Sequence, residues 1–107
     1  MYNNQTFNEQ LSLLLKPLII SGKYKNEDTA IKDIVIDYVE RKVKKYKAEI
    51  KRLNNKYMMD FENFSKKIKN CALLEEEDDW MDWKAAIEMQ KAWKITLQKM
   101  INNVYQH

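Results

Sequence analysis

The chain has 107 residues, of which 45% are hydrophobic and 33% are charged, and this length is enough for one domain with a modest core. Its single glycine and single proline leave few turn residues, which disfavours a sheet of several hairpins and predicts an all-α fold of a few long helices. The 19 lysines and arginines against 16 aspartates and glutamates leave a net charge of +3, so the total charge does not indicate uniform polyanion binding.

The residues that usually carry catalysis or bind metals are scarce. Cys71 is the only cysteine, which excludes an intramolecular disulfide and a metal site of paired cysteines, and we expect its side chain to be a small buried hydrophobic group. His107 is the only histidine, so the sequence does not supply the residues for a catalytic triad or for a zinc site with histidine ligands. We therefore predict no enzymatic activity, no cofactor and no metal site.

No segment of the chain is predicted to cross a membrane. The longest apolar run, residues 13–20, is interrupted by Lys16 and Pro17 and is much shorter than the roughly 20 residues that a membrane span requires. We therefore expect no membrane partner and a cytoplasmic location.

A first helix is predicted over residues 6–21. Its apolar side chains recur at steps of three and four residues, which is the spacing of one helical face. They are Phe7, Leu11, Leu14, Leu15, Leu18 and Ile19. Pro17 either kinks this helix or marks its true start, and Gly22 suits the left-handed conformation that often ends a helix. Asn26 is then a good N-cap for a second helix.

The second helix carries a seam of apolar residues that is sustained for about three heptads. The seam consists of Ile36, Val39, Val43, Tyr46, Ile50, Leu53 and Tyr57. Because a thin apolar stripe on a highly charged helix often pairs with another copy, we predict a long central helix and a homodimer. The predicted dimer interface comprises Val39, Val43, Tyr46, Ile50 and Leu53.

Two further helices are predicted in the second half of the chain. Met58 and Met59 mark a bend, and Asp60 is suited to cap a short third helix. The apolar side chains of this helix are Phe61, Phe64, Ile68 and Cys71. Residues 73–79 are predicted as a connector before a fourth helix over residues 78–104, although their carboxylates also suit a first helical turn. The fourth helix is apolar nearly all round, so it is either enclosed by its own domain or offers a face to a partner.

Residues 75–83, which we call the acidic-tryptophan segment, contain six acidic residues and two tryptophans. Either the tryptophans close the core beneath the last helix, or the carboxylates face a basic partner while Trp80 and Met81 anchor the contact. A calcium site is disfavoured because the segment lacks the spaced ligands and central glycine of a calcium loop. The predicted partner-binding residues are Glu76, Asp79, Trp80, Met81 and Trp83.

Residues 20–31 resemble the inter-helix turn of ribbon-helix-helix antitoxins, which commonly has serine, glycine, a basic residue and tyrosine before a capped helix. In this chain these residues are Ser21, Gly22, Lys23 and Tyr24. Residues 56–64, followed by the acidic-tryptophan segment, look like small prokaryotic proteins that are encoded beside toxins. The resemblance implies that the N-terminal half dimerises and binds operator DNA, whereas the C-terminal half silences a toxin. Ribbon-helix-helix proteins read bases with an N-terminal strand, but residues 7–19 of this chain have helical spacing.

Basic residues form two groups that are candidates for nucleic-acid contact. The resemblance implies that Lys23, Lys25 and the helix start at Asn26 contact phosphate, because a helix N-terminus with nearby lysines attracts anions. The basic stretch over residues 41–56 is suited to follow a phosphate backbone, although such stretches are more often solvated helix faces. The predicted nucleic-acid-binding residues are Lys23, Lys25, Asn26, Arg41, Lys44, Lys45, Lys51 and Arg52.

These patterns predict one helical domain over residues 1–107, a hairpin or bundle that dimerisation completes. Residues 1–57 form the dimerising and candidate nucleic-acid-binding half, and residues 58–107 form the partner-binding half. The predicted function is that of a non-catalytic, antitoxin-like protein that neutralises a basic, toxin-like protein and is a candidate to bind DNA. The alternatives are a structural helical adaptor without a nucleic-acid role and a small protein that binds nucleic acids non-specifically.

Overall fold

The computed structural model describes residues 6–105, which form four helices and no strand. The helices are α1 (Phe7–Ile20), α2 (Glu27–Tyr57), α3 (Phe61–Ile68) and α4 (Leu74–Tyr105). The all-α prediction is therefore confirmed. The chain divides into two compact units, Met1–Asp37 and Tyr38–His107, and the boundary between them falls inside α2. Among the described residues, no helix combines the length and hydrophobicity that a membrane span requires.

The first unit contains α1 and the start of α2. Thr6 is the N-cap of α1, because its side chain accepts a hydrogen bond of 3.2 Å from the backbone N–H of Glu9. Pro17 lies inside α1 and does not mark its start. The helix ends before Gly22, which has the left-handed φ of +79° that glycine adopts without steric cost. Local chemistry thus sets both ends of α1, and the end at Gly22 is the one that the sequence predicts.

The turn between α1 and α2 is held by side-chain hydrogen bonds. Asn26 Oδ1 accepts a bond of 2.8 Å from the backbone N–H of Thr29, so Asn26 caps α2 as predicted. Ser12 Oγ donates a bond of 2.8 Å to Glu27 Oε2, which ties α1 to the first turn of α2. Leu15 is the buried residue of α1.

The second unit begins within α2 and bends sharply after it. Met58 has a φ of +54°, a left-handed conformation that is uncommon for a residue with a side chain. Asp60 then caps α3, since its Oδ1 accepts a bond of 2.8 Å from the backbone N–H of Asn63. Both the predicted bend and the predicted cap are confirmed.

The fourth helix begins at Leu74, so the predicted connector over residues 73–79 is wrong for all but its first residue. Acidic side chains occupy the first turn, where the partial positive charge of the helix N-terminus stabilises them. Glu76 Oε1 also accepts a bond of 2.9 Å from the backbone N–H of Leu73, which satisfies a donor that the helix itself leaves free. These two effects extend the helix through the acidic residues.

In the second unit, α2 and α4 run antiparallel, with α3 in the connection between them. Tyr57, at the end of α2, bonds to Asp79 near the start of α4. Tyr38, almost twenty residues earlier in α2, meets Trp93 further along α4, with ring centroids 6.0 Å apart and planes at 74°. The contacts thus pair later residues of α2 with earlier residues of α4, and earlier residues of α2 with later residues of α4. The two helices are therefore antiparallel and form a helical hairpin.

The core of the second unit takes one fully buried residue from each of its three helices: Leu53, Phe64 and Trp83. The rings of Phe64 and Trp83 lie 5.4 Å apart, within the range of favourable aromatic pairs. The half-buried side chains that pack around these three are Ile50, Tyr57, Met59, Phe61, Ile68, Trp80 and Ile87. This cluster fixes the end of the hairpin at which the acidic-tryptophan segment lies.

The α2 seam that the sequence predicts as a dimer interface lies against the interior of a single chain. Val39 and Leu53 are buried, and Ile50 packs against the core. Val43 and Tyr46 are half-buried. Helices α3 and α4 thus supply to Leu53 the apolar contacts that were assigned to a second copy, and a dimer through the whole seam would require the hairpin to open.

Cys71 is exposed, so the prediction of a buried thiol is wrong. The expectation depended on helical spacing that continued from Phe64 through Ile68 to residue 71. Helix α3 ends at Ile68, so the face that carries those two side chains does not extend to Cys71.

Candidate functional site

The acidic-tryptophan segment is helical throughout, and α4 divides its side chains between two faces. Asp79 and Trp83 are four residues apart and lie on the inner face, where both are buried. Trp80, next to Asp79, is half-buried on the same side. Most of the residues predicted to bind a partner therefore face the interior of the second unit.

Asp79 is the centre of a polar network that joins α2 to α4 at the end of the hairpin where α3 lies. Its Oδ2 accepts bonds from Lys56 Nζ at 2.6 Å and from the Tyr57 hydroxyl at 2.5 Å. Lys56 Nζ also donates to Glu75 Oε1 at 2.7 Å. The bonds from Lys56 and Tyr57 hold the pKa of Asp79 below its ordinary value. Burial, together with the bond to Asp79, raises the pKa of Tyr57 to about 12.

Trp80 connects α4 to α3. Its indole Nε1 donates a hydrogen bond of 2.7 Å to Ser65 Oγ, and its ring stacks on Phe61 at a centroid distance of 5.7 Å. Lys84 Nζ lies 5.4 Å from the ring centroid, at a distance suited to a cation-π contact. The side chain therefore makes internal contacts on one side and remains half-exposed on the other.

Trp83 differs from Trp80 in its hydrogen bonding. Its side chain is 0% exposed, and its Nε1 has no acceptor among the described residues. The ring therefore stabilises the unit by packing, and of the two interpretations of this tryptophan the structure favours the core.

Glu76 also makes contacts within its own unit. Besides capping Leu73, it lies 3.7 Å from Lys67 Nζ at the end of α3. Of the predicted partner-binding residues, Met81 is the one whose side chain is largely exposed, at 63%.

An outer acidic surface, which the sequence did not reveal, lies on the opposite face of α4. With 3.6 residues per turn, Leu74, Asp78 and Met81 share one face of the helix, and Glu77 and Asp82 flank it. Leu74 is 75% exposed, and the carboxylates are exposed as well. In the described part of the chain, none of these three carboxylates forms a salt bridge or a side-chain hydrogen bond. A sequence prediction that began α4 at Leu74 would have placed these residues on one face of the helix.

The basic residues of the first unit surround the turn between α1 and α2. Lys23 and Lys25 are exposed. Asn26 is exposed too, but its Oδ1 is occupied by the cap of α2. These three residues belong to the first unit, whereas the other predicted nucleic-acid-binding residues belong to the second.

The basic residues of the second unit lie on the face of α2 opposite its apolar seam, and all are exposed. They are Arg41, Lys44, Lys45, Lys51 and Arg52. Arg52 forms a two-bond contact with Glu49, at 2.7 and 3.1 Å, and this contact lowers the pKa of the Glu49 carboxyl. These five cations therefore share one outward face of α2.

The chain matches no family model, no curated protein and no solved structure. The antitoxin-like identity thus stays a prediction from the resemblance of residues 20–31 and of the second half of the chain.

The geometry offers surfaces for binding. Within residues 6–105, no group of three or more histidine, cysteine, aspartate or glutamate side chains is arranged to hold a metal. Asp79 accepts hydrogen bonds from Lys56 and Tyr57 at the end of the hairpin, so these three side chains are engaged within the fold. The three carboxylates of the outer acidic surface form no salt bridge or side-chain hydrogen bond within the described residues, and they lie beside two exposed apolar side chains. This combination suits contact with a cationic protein surface.

Proposed function

We propose that this protein is a non-catalytic, antitoxin-like binding protein that neutralises a basic protein partner through the outer acidic surface of α4. One observation carries the proposal: Leu74 and Met81 are exposed beside three carboxylates that form no salt bridge or side-chain hydrogen bond within the described chain. A core function explains the buried side chains of the acidic-tryptophan segment, but it does not explain these.

The two kinds of side chain have different roles in this proposal. Leu74 and Met81 supply apolar area, and methionine adapts its shape to a partner surface. Glu77, Asp78 and Asp82 attract a basic surface, accelerate association and disfavour acidic competitors. The complementary site on the partner is expected to be an apolar depression surrounded by lysine and arginine side chains.

The test begins with the tagged full-length chain and the protein encoded by the neighbouring gene. If the two proteins copurify at moderate salt, their affinity is then measured by titration calorimetry. Met81→Ala is expected to weaken binding about tenfold, which corresponds to the loss of an interface side chain worth about 1.4 kcal/mol. Met89→Ala is the matched control, because Met89 is also an exposed methionine of α4 but lies outside the segment.

Charge reversal tests the acidic part of the same surface. Asp78→Lys is expected to slow association and to make binding less dependent on salt, whereas Glu88→Lys makes the same charge change on an exposed position of α4 outside the segment. Equal effects of the two reversals, or equal effects of the two methionine variants, would contradict the proposed surface. All four positions are exposed, so the variants are expected to fold.

A second candidate function, nucleic-acid binding, is favoured by the outward basic face of α2. If several of its cations contact phosphates, affinity for a short duplex of random sequence should fall by one to two orders of magnitude between about 50 and 200 mM salt. Lys44→Glu combined with Lys51→Glu should abolish binding, and Lys99→Glu on α4 is the control. Fluorescence anisotropy measures both. Absence of binding at low salt would leave this face solvated, as in a structural adaptor.

A further inference from the structure

A groove of about 580 Å³ lies in the first unit, between α1 and the start of α2. Its volume falls within the range of pockets that bind small molecules, which is roughly 300–1,000 Å³. Every residue that lines it lies between residues 12 and 27, so the groove is formed within one unit. The outer acidic surface belongs to the second unit, so the proposed function does not involve this groove.

Three apolar side chains of α1 line the groove. They are Leu13, Ile19 and Ile20. Leu13 is 55% exposed and Ile20 is 75% exposed, whereas Ile19 is half-buried. Water thus reaches a large part of this apolar surface, and an apolar group that covered the surface would gain free energy by displacing that water.

The charged residues that line the groove are two lysines and one glutamate. Lys16 and Lys25 are exposed, and neither forms a salt bridge with a described residue. Glu27 partly balances them, but its Oε2 already accepts a hydrogen bond of 2.8 Å from Ser12 Oγ. The lining therefore carries a net positive charge and offers two cations to an anionic group.

A second, smaller groove in the same unit has the opposite charge. Its volume is about 260 Å³, and it shares Ser12 and Glu27 with the larger groove. Its other charged lining residue is Asp28, which forms a salt bridge of 2.8 Å with Lys32, and no lysine or arginine among the described residues lines it. Both acidic residues at the start of α2 thus line the smaller groove, and only Glu27 lines the larger one. An anionic ligand is therefore favoured in the larger groove alone.

We propose that the larger groove binds a small amphiphile that has an anionic head group and an apolar chain. The head group, a carboxylate or a phosphate, pairs with Lys16 and Lys25. The chain covers Leu13 and Ile20. A nucleic-acid backbone would supply the anionic groups but would leave the apolar side chains exposed, so it uses only half of this lining.

Titration of the isolated full-length chain with decanoate, followed in heteronuclear NMR spectra of the amide groups, tests the proposal. The shifts should centre on residues 12–27 and should saturate with a dissociation constant on the order of 0.1 mM. Decyl phosphate is titrated in parallel, and the tighter of the two ligands identifies the head group. Acetate lacks the chain and decyltrimethylammonium carries the opposite charge, so each should bind at least tenfold more weakly. All ligands are kept below the concentrations at which they form micelles.

Charge reversal tests the pairing of the head group. Lys25→Glu should weaken decanoate binding about fivefold, because an attractive charge becomes a repulsive one on a solvated surface. Lys23→Glu is the matched control, since Lys23 is an exposed lysine of the same turn that does not line the groove.

A second pair of variants tests the apolar contact. Leu13→Asn should weaken decanoate binding by a similar factor, because the chain loses an apolar surface to cover. Leu14→Asn is the matched control: Leu14 is the neighbouring leucine and is 73% exposed, but it does not line the groove. All four substituted positions are exposed, and circular dichroism establishes that the variants remain helical.

Each outcome decides for or against the proposal. Absence of shifts with both anionic amphiphiles, equal binding of decyltrimethylammonium or equal effects within either pair of variants would overturn it. A short duplex that shifts the same resonances and is not displaced by decanoate would assign the two lysines to nucleic-acid contact instead. Because no partner protein is needed, failure of this experiment leaves the proposed function of the outer acidic surface untouched, and the reverse is also true.

Discussion

Replacement of Trp83 with alanine is expected to lower the free energy of unfolding by about 3–5 kcal/mol, which is a large part of the stability of a small domain. Its side chain is completely buried and lies against the rings of three of the aromatic residues in and around the core. The rings of Phe64, Phe61 and Tyr57 are 5.4, 5.6 and 6.3 Å from it. Urea denaturation followed by far-ultraviolet circular dichroism measures the loss.

A phenylalanine at the same position separates packing from hydrogen bonding. Because Trp83 Nε1 has no acceptor among the described residues, Trp83→Phe loses volume but no hydrogen bond and should cost only about 1–2 kcal/mol. In Trp80→Phe, by contrast, the bond to Ser65 is lost. If Trp83→Ala kept its stability but lost partner binding, Trp83 would belong to a binding surface and the core assignment would fail.

The helix ends of this fold could be predicted because they depend on neighbouring residues. Asn26 and Asp60 each bond to a backbone N–H three residues later, and Gly22 adopts the left-handed conformation. Each of these interactions requires only a short stretch of sequence. The same is true of the apolar spacing that located α1, α2 and α3.

The start of α4 was harder to predict because a dense acidic run admits two interpretations. Repulsion among its carboxylates favours a connector, whereas their attraction to the helix N-terminus favours a first turn. Residues outside the run decide the question: Lys56 balances Glu75 and Asp79, and Lys67 lies near Glu76. Sequence alone does not show that these lysines come close to the segment.

The exposure of the predicted partner-binding residues was hard to predict for a related reason. Once α4 begins at Leu74, the helical period puts Asp79 and Trp83 on one face and Asp78 and Met81 on the other. Without that start, the sequence does not distinguish the carboxylates and tryptophans that face the interior from those that are exposed to a partner. The α2 seam shows the same limit, because an apolar stripe indicates that a helix packs but not whether its partner is in the same chain.

The stability of the folded protein is expected to fall in acid through the protonation of Asp79. Its pKa is lowered in the fold, mainly by the bonds from Lys56 and Tyr57, so the folded state favours the charged carboxylate. The stabilisation is therefore present above the unfolded pKa of about 3.9 and is lost as the pH falls through the lower folded value. Urea titrations of the free energy of unfolding across this acid range measure the effect.

Asp79→Asn should flatten this acid dependence and cost about 2–3 kcal/mol at neutral pH, because Lys56 and Tyr57 lose their charged acceptor while the shape of the side chain is kept. Asp82→Asn is the matched control: Asp82 lies on the same helix but is exposed, and the variant should retain the wild-type profile. An unchanged acid profile in Asp79→Asn would show that other carboxylates govern the transition.

Tyr57 acts at the alkaline end, since its raised pKa gives a stabilisation that is full below pH 10.0 and is lost towards about 12. Tyr57→Phe should remove that alkaline loss and only reduce the acid limb, because the bond from Lys56 still lowers the pKa of Asp79 after the bond from Tyr57 is lost.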